Sequence, residues 1–469
     1  MTPLLKKILF ISILALFYTL FSCGKKFKDD NYVAYFGGEV TNPTNPYVLF
    51  CKDSEIVDTI PLSKENTFFI KFDSLSPGLY SFKHEPEYQY IYFEKNDSLM
   101  VSINSKDFDQ SIVFSGRGEE KNNFLMELYL KNEDDKSKLF GVLDYKINAF
   151  SKNIDSSYKA KEKFYLTKKE QINWSDGFDL YAKATLDFYD YSKKELYPMV
   201  HEMRTGEKIK QNLPHGFYDF RKKIDFNNTK FINFSPFVKY LNHMLNNIAS
   251  DKKTVTTCEL DESFELNVRK LNIADTLFKS KAIKNTILNN IAFCYLLEDQ
   301  NISNNKKFLD KYYSISSDKS QRNEIIKIGN AIQLLKIGND LPETKLYDQN
   351  DNLVSIGSLI KKKTVLFFWT ENLDSHMVAA HKKILDLAKR HLDYQFIAIN
   401  VDENQEKWKT LLSNYNFKNI KEYRAANFDD LKDKWVINKI HRTMIINSNH
   451  TINNAFVSLF DVNFEKQLN

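Results

Sequence analysis

Thr364-Val-Leu-Phe-Phe-Trp-Thr-Glu-Asn-Leu-Asp-Ser-His-Met377 changes its hydrophobic pattern midway. Residues 365–369 form an unbroken apolar run of strand length, as expected of a strand buried on both faces. Thr370-Glu-Asn interrupts it. From about Ser375 the spacing becomes helical, with Met377, Ala380, Ile384 and Leu387-Ala388 on one face, which predicts a helix to about His391. Either Asp374 or Ser375 suits the N-cap of that helix, since a side-chain oxygen there accepts an orphan N–H. Outward from this junction, 395–401 reads as a second buried strand ended by Asp402, and Trp408, Leu411 and Leu412 mark a further helix. Residues 443–447 and Thr451-Ile452 make a terminal hairpin around Ser448-Asn-His450. Upstream, Leu346-Tyr-Asp and Leu353-Val-Ser-Ile make another around Asn350-Asp-Asn. Strands alternating with helices in this way indicate an α/β domain.

The rest of the chain is organised differently. Tyr47-Val-Leu-Phe-Cys51, Thr67-Phe-Phe-Ile-Lys-Phe72, Tyr88-Gln-Tyr-Ile-Tyr-Phe93 and Leu99-Met-Val-Ser-Ile103 are short runs separated by turn signals such as Pro77-Gly78 and Asn96-Asp97. They predict a small antiparallel β-sandwich over 31–117. Gly118-Glu-Glu opens a helical pattern, its acids well placed for a helix N-terminus. Residues 118–335 keep that period, in faces such as Phe124, Leu125, Leu128 and Tyr129, or Phe237, Leu241, Leu245 and Ile248. Pro198, Pro214 and Pro236 punctuate the stretch, and at ordinary helix lengths it holds seven or eight helices. The expected architecture is multidomain α+β: an N-terminal β-sandwich (31–117), a central all-α region (118–335) and a C-terminal α/β domain (336–469).

The first residues read as an export signal. Lys6 and Lys7 precede an apolar stretch, 8–21, that is short for a membrane span, and Leu20-Phe-Ser-Cys23 follows. The expectation is a signal peptide over 1–22, lipidation at Cys23 and an anchor linker over 23–30, with the acyl chains holding the protein on a membrane surface. Loss of Lys6 and Lys7 lowers the formal charge of the chain from +5 to +3, which gives no nucleic-acid footprint. Beyond Cys23 only Cys51, Cys258 and Cys294 remain; they form no Cys-x-x-Cys or metal spacing. A Gly-rich phosphate loop, a Gly-x-Ser-x-Gly elbow and a His-Glu-x-x-His run are all missing. No cofactor is expected.

The strand ending in Phe368-Trp369 and the helix after it resemble the active-site junction of TlpA/ResA-type thioredoxin-like proteins. The entry segment Gly338-Asn-Asp-Leu-Pro342 and the βαβα…ββα order resemble the same fold. Phe36-Gly-Gly, Gly78-Leu-Tyr-Ser-Phe82, Tyr92-Phe-Glu-Lys-Asn-Asp-Ser-Leu99 and Ser115-Gly-Arg-Gly118 resemble the β-domain that precedes it in Bacteroidetes lipoproteins. The resemblance implies a lipoprotein of the cell envelope, lipid-anchored at the outer membrane and facing the periplasm or the surface.

It also implies a Cys-x-x-Cys pair where Leu373 and His376 stand, and a cis-proline where His441 stands in Lys439-Ile-His-Arg-Thr443. Disulfide exchange needs an attacking thiolate and a resolving thiol, and leucine and histidine supply neither. A non-proline cis bond costs about 2.5–4 kcal/mol, so the loop at His441 is expected to be trans and reshaped. The leading expectation is a redox-inactive interaction or scaffold module, not an enzyme. It would bind an envelope protein or peptide on the old substrate face at Trp369, Leu373, His376 and His441. Two alternatives stand beside it: a diverged TlpA-like thiol–disulfide oxidoreductase, and a zinc or copper site built from Asp374, His376 and His441.

Overall fold

The computed structural model describes residues 32–468 except 54, 251–258, 299–301, 416, 418–419, 438 and 462. The expected signal peptide (1–22), Cys23, the linker 23–30 and Cys258 lie outside the described residues. Among the described residues, no helix is long and apolar enough to cross a membrane. The chain forms two compact units. One runs to Tyr218 and includes Ser235–Tyr240; the other comprises Asp219–Phe234 and the residues from Leu241 onward. The central helices are thus shared between the two units.

The first unit opens with two four-stranded sheets. One has the order β4 (Thr67–Phe72), β1 (Ala34–Thr41), β7 (Ser98–Asn104), β8 (Val113–Arg117). The other has β3 (Glu55–Pro61), β2 (Tyr47–Lys52), β5 (Gly78–His84), β6 (Glu87–Phe93). Phe36, Phe68, Leu99 and Phe114 of the first sheet meet Phe50, Phe82 and Phe93 of the second in one buried core. The pairing is antiparallel throughout except between β1 and β7, which run parallel, so the sandwich departs from the purely antiparallel expectation.

Gly118, left-handed at φ 95, then turns the chain into helix α1 (Glu119–Leu143). A Cβ there would sit 2.6 Å from the Asp97 carboxyl carbon, and that carboxylate is engaged by buried Lys121 at 2.6 Å, so glycine alone fits. Helices α2 (Ile147–Ile172) and α3 (Asp176–Thr205) complete a three-helix layer. Its core of Phe124, Leu128, Phe178 and Leu186 also takes in Tyr92 of β6. Pro198 lies inside α3 and does not end it, contrary to the punctuation expected of it. Burial of Ala182, Leu186 and Tyr197 along both halves of the helix outweighs the lost bond.

Helices α4 (Ser235–Ala249), α5 (Glu259–Leu277), α6 (Lys281–Glu298), α7 (Ile302–Ile315) and α8 (Lys319–Leu334) bring the described helices of this region to eight, with Pro236 in the first turn of α4.

The second unit contains a seven-stranded sheet in the order β10 (Leu353–Ser355), β9 (Lys345–Tyr347), β13 (Lys421–Ala425), β12 (Tyr394–Asn400), β11 (Lys363–Trp369), β14 (Arg442–Ile446), β15 (Ile452–Ser458). β11, β12 and β13 are mutually parallel; the outer pairings are antiparallel. Helix α9 (Asp374–Arg390) and α10 (Gln405–Tyr415) cover one face, where Phe367 and Trp369 meet Met377, Ile384 and Trp408. Helix α11 (Phe428–Trp435) covers the other, with Trp435 against Phe368 at 6.2 Å. This is the C-terminal thioredoxin-like α/β domain. The entry segment adds to the edge of β15: Gly338 N–H donates to the Ile452 carbonyl and Leu341 N–H to that of His450.

Candidate functional site

The site lies where β11 gives way to α9. The connecting loop is held by the end of β12. Asp402 accepts from the Thr370 hydroxyl at 2.5 Å, the Glu371 N–H at 2.7 Å and the Asn400 amide at 2.8 Å, while Val401 N–H donates to the Trp369 carbonyl. Lys407 pairs with Glu371 at 2.9 Å. One carboxylate therefore fixes the path of the chain into the helix.

Leu373 occupies the N-cap, half-exposed at 46%, and no side chain caps the helix. Neither Asp374 nor Ser375 takes that position, because the helix already starts at Asp374, and the Asp374 carboxylate acts only through its charge in the first turn. His376 sits one turn in, its ring 5.6 Å from that of Phe460, which is itself 43% exposed. Both His376 ring nitrogens are buried and have no hydrogen-bond partner among the described residues. Burial, followed by the charges of His441 and His381, lowers the His376 pKa. Lys383 lies over the Phe460 ring at 5.8 Å.

His441 is exposed, and its carbonyl accepts from Leu459 N–H. Glu85–Pro86 is the one cis peptide among the described residues, so the bond before His441 is trans. The loop takes its shape from the next residue. Arg442 is buried, donating from Nε to the Ala455 carbonyl at 2.9 Å and from Nη1 to the Val436 carbonyl, with Phe456 4.2 Å beneath its guanidinium. Burial pulls its pKa down to about 9.

Two expectations for this site need correction. Trp369 is fully buried and belongs to no contact surface, because β11 is the central strand and is covered on both faces. Asp374, His376 and His441 do not form a metal site: among the described residues, no group of three or more His, Cys, Asp or Glu is arranged to hold an ion. Asp374 and His376 are two residues apart on a helix and point to different sides.

Beneath the site is a buried cluster absent from the reading of the sequence. Trp369 Nε1 donates to Glu422 Oε2 at 3.2 Å, and His381 Nε2 lies 3.0 Å from Glu422 Oε1. His381 Nδ1 donates to the Met377 carbonyl at 2.7 Å. The Phe417 ring stacks on His381 at 3.8 Å. The sequence gives no local signal for this cluster, since Lys421-Glu-Tyr-Arg-Ala425 is charged at three of five positions and reads as exposed. Phe460 was missed as well; it follows β15 with no pattern around it.

None of Leu373, His376, His441 and Phe460 is a thiol. Every cysteine precedes residue 295 in the sequence. Cys51 is buried in β2, where burial raises its pKa, and Cys294 is exposed on α6.

A thioredoxin-like family model matches residues 361–452, which span β11, α9 and β14. No curated protein matches the chain. Several solved structures are similar to parts of it. A thioredoxin-like protein from Bacteroides caccae is 13% identical, covering 59% of this chain and 92% of its own, at a TM-score of 0.36. The thioredoxin domain of a thiol-disulfide oxidoreductase from Bacteroides vulgatus is 17% identical, covering 25% and 85%, at 0.23. A thiol:disulfide interchange protein from a Bacteroides species is 16% identical, covering 25% and 78%, at 0.22.

Proposed function

We propose that the chain is an envelope lipoprotein, anchored through Cys23, whose thioredoxin-like domain holds an extended polypeptide without redox chemistry. The observation that carries this reading is the surface at the start of α9. Leu373 and Phe460 are exposed, the Phe460 ring lies 5.6 Å from that of His376, whose ring nitrogens have no partner among the described residues, and no side chain caps the helix N-terminus. Apolar anchors beside unsatisfied donors suit a peptide that brings both side chains and carbonyl oxygens. The peptide would contact Leu373, His376, His441 and Phe460, with Trp369 supporting them from below. Without a thiolate at the face, exchange chemistry has no nucleophile.

The test is cross-linking of the native lipidated protein in its membranes, followed by identification of what is captured. A reproducible partner that disappears in Leu373→Glu/Phe460→Glu supports the reading. Capture unchanged by both substitutions overturns it. An insulin-reduction assay separates the alternative: turnover above background that is lost on mutating Cys51, Cys258 or Cys294 would make the protein an oxidoreductase.

A further inference from the structure

The helical layer of the first unit carries a cleft of about 720 Å3 between α1 and α2, with Lys193 of α3 at its base. Leu130, Leu139, Val142, Ile154 and Phe164 give it apolar walls. Its floor is charged. Lys161 Nζ donates to Asp135 Oδ2 at 2.7 Å and to Asn132 Oδ1 at 2.9 Å, and Lys193 Nζ donates to the same Asp135 oxygen at 2.6 Å. Ser157 Oγ also donates to that oxygen, at 2.6 Å. The two lysine side chains are 5% and 6% exposed. Two buried ammonium groups therefore share one carboxylate oxygen. Each ammonium has three donors. Lys161 uses two and Lys193 one, so among the described residues three N–H groups are left over on two side chains that line the cleft.

A second carboxylate stands behind them. Asp190 is buried, its Oδ1 is 3.9 Å from Lys193 Nζ, and that oxygen accepts no hydrogen bond among the described residues. The charged groups facing it are Lys193 and Lys194 on α3, Lys161 on α2 and Asp135 on α1. Burial raises its pKa to about 6 despite the three lysines. Tyr191, beside it, is held protonated by burial and by the carboxylates of Asp187 and Asp190. With Asp190 ionised, the two buried lysines are balanced by two carboxylates; with Asp190 protonated, the floor carries one positive charge in excess.

We propose that this cleft binds a small organic anion, its carboxylate on the Lys161 and Lys193 ammonium groups and its apolar body against Leu139 and Phe164. A ligand carboxylate would take the unused donors and supply the charge that Asp190 gives up on protonation. Anion binding and Asp190 ionisation then oppose each other.

The experiment is titration calorimetry on the full-length protein with hexanesulfonate, whose charge is constant between pH 5 and 8. Hexanoate serves as the carboxylate probe and hexanol as the uncharged control. The expected result is saturable 1:1 binding of both anions and none of hexanol, with hexanesulfonate about tenfold tighter at pH 5 than at pH 8. Asp190→Asn should bind at pH 8 as wild type does at pH 5. Lys193→Met should weaken binding by tenfold or more, about the size of one coupled charge contact. Ala160→Trp fills the cleft from an exposed lining position and leaves the Lys–Asp floor intact, so its loss of binding cannot be ascribed to a collapsed floor. Absence of saturable binding at either pH, equal binding of hexanol, or binding that survives Ala160→Trp would overturn the proposal.

Discussion

Glu422 has the largest leverage of any single residue under the candidate site, because one carboxylate serves both Trp369 and His381 in a fully buried setting. Glu422→Ala leaves two buried polar groups without partners, each costing about 1–3 kcal/mol. Chemical denaturation followed by tryptophan fluorescence should show a loss of about 2–6 kcal/mol on that ground. Glu422→Gln, which keeps an acceptor for the indole, should lose less. Stability equal to wild type in Glu422→Ala would mean the cluster is not closed as described. At the surface, the double variant Leu373→Cys/His376→Cys puts thiols at the N-cap and one turn in, where a helix N-terminus lowers a thiol pKa. The pair should close into a disulfide, read as two titratable thiols lost on oxidation, and should reduce insulin above the wild-type baseline. If it closes but stays at baseline, the trans loop reshaped around Arg442 is the second barrier to exchange.

Helix α9 begins without a side-chain cap, and this separates stability from binding at the scale of the element. Leu373→Ser supplies an oxygen that can accept from the first turn and should raise stability by about 0.5–2 kcal/mol. The same change removes an apolar anchor and should weaken partner capture. A variant that melts higher yet captures less would show that leucine is kept at the N-cap for contact; unchanged capture would argue against a role for Leu373 in binding. The elements most legible in the sequence were those with a clean period. β4 runs over the six residues anticipated, β11 and α9 depart from expectation by a residue or two at their ends, and the terminal hairpin turns where Ser448-Asn-His450 suggested. β13 was not anticipated, because its buried positions include Glu422 and Arg424, charged residues that period-based reading assigns to solvent.

At the scale of the whole molecule, acid should weaken the fold. His376 and His84 both have pKa values lowered chiefly by burial, so each binds a proton more readily in the unfolded chain. Stability from these groups is complete above their unfolded pKa of about 6.5 and is lost as pH falls below it. Asp190 has the opposite sign. Its raised value means the folded state holds the proton more tightly, a contribution present below about pH 4 and lost as pH rises through 6. Melting curves at pH 5 and 8 should show the acid loss. It should be smaller in His376→Gln, whereas Asp190→Asn should gain stability at pH 8 relative to wild type. An acid loss undiminished in His376→Gln would assign it to His84 or to other groups. The division of the central helices between two compact units belongs to this scale too; a continuous helical period from 118 to 335 carries no mark of it.

Local periodicity and composition were enough to establish the β-sandwich, the run of helices and the α/β order of the C-terminal domain, since each depends on patterns within a few turns or strands. That positions 373 and 376 hold leucine and histidine was equally plain, because residue identity is read directly from the sequence. Only the tertiary structure decided which residues face outward at the site. Trp369 is sealed because helices cover both faces of its strand, and Phe460 reaches His376 from 84 positions further along the chain. The pairing of His381 with Glu422, and of Lys161 and Lys193 with Asp135, likewise joins residues from separate elements. Burial of charge is a property of packing between elements, and no local pattern encodes the partner that makes it affordable.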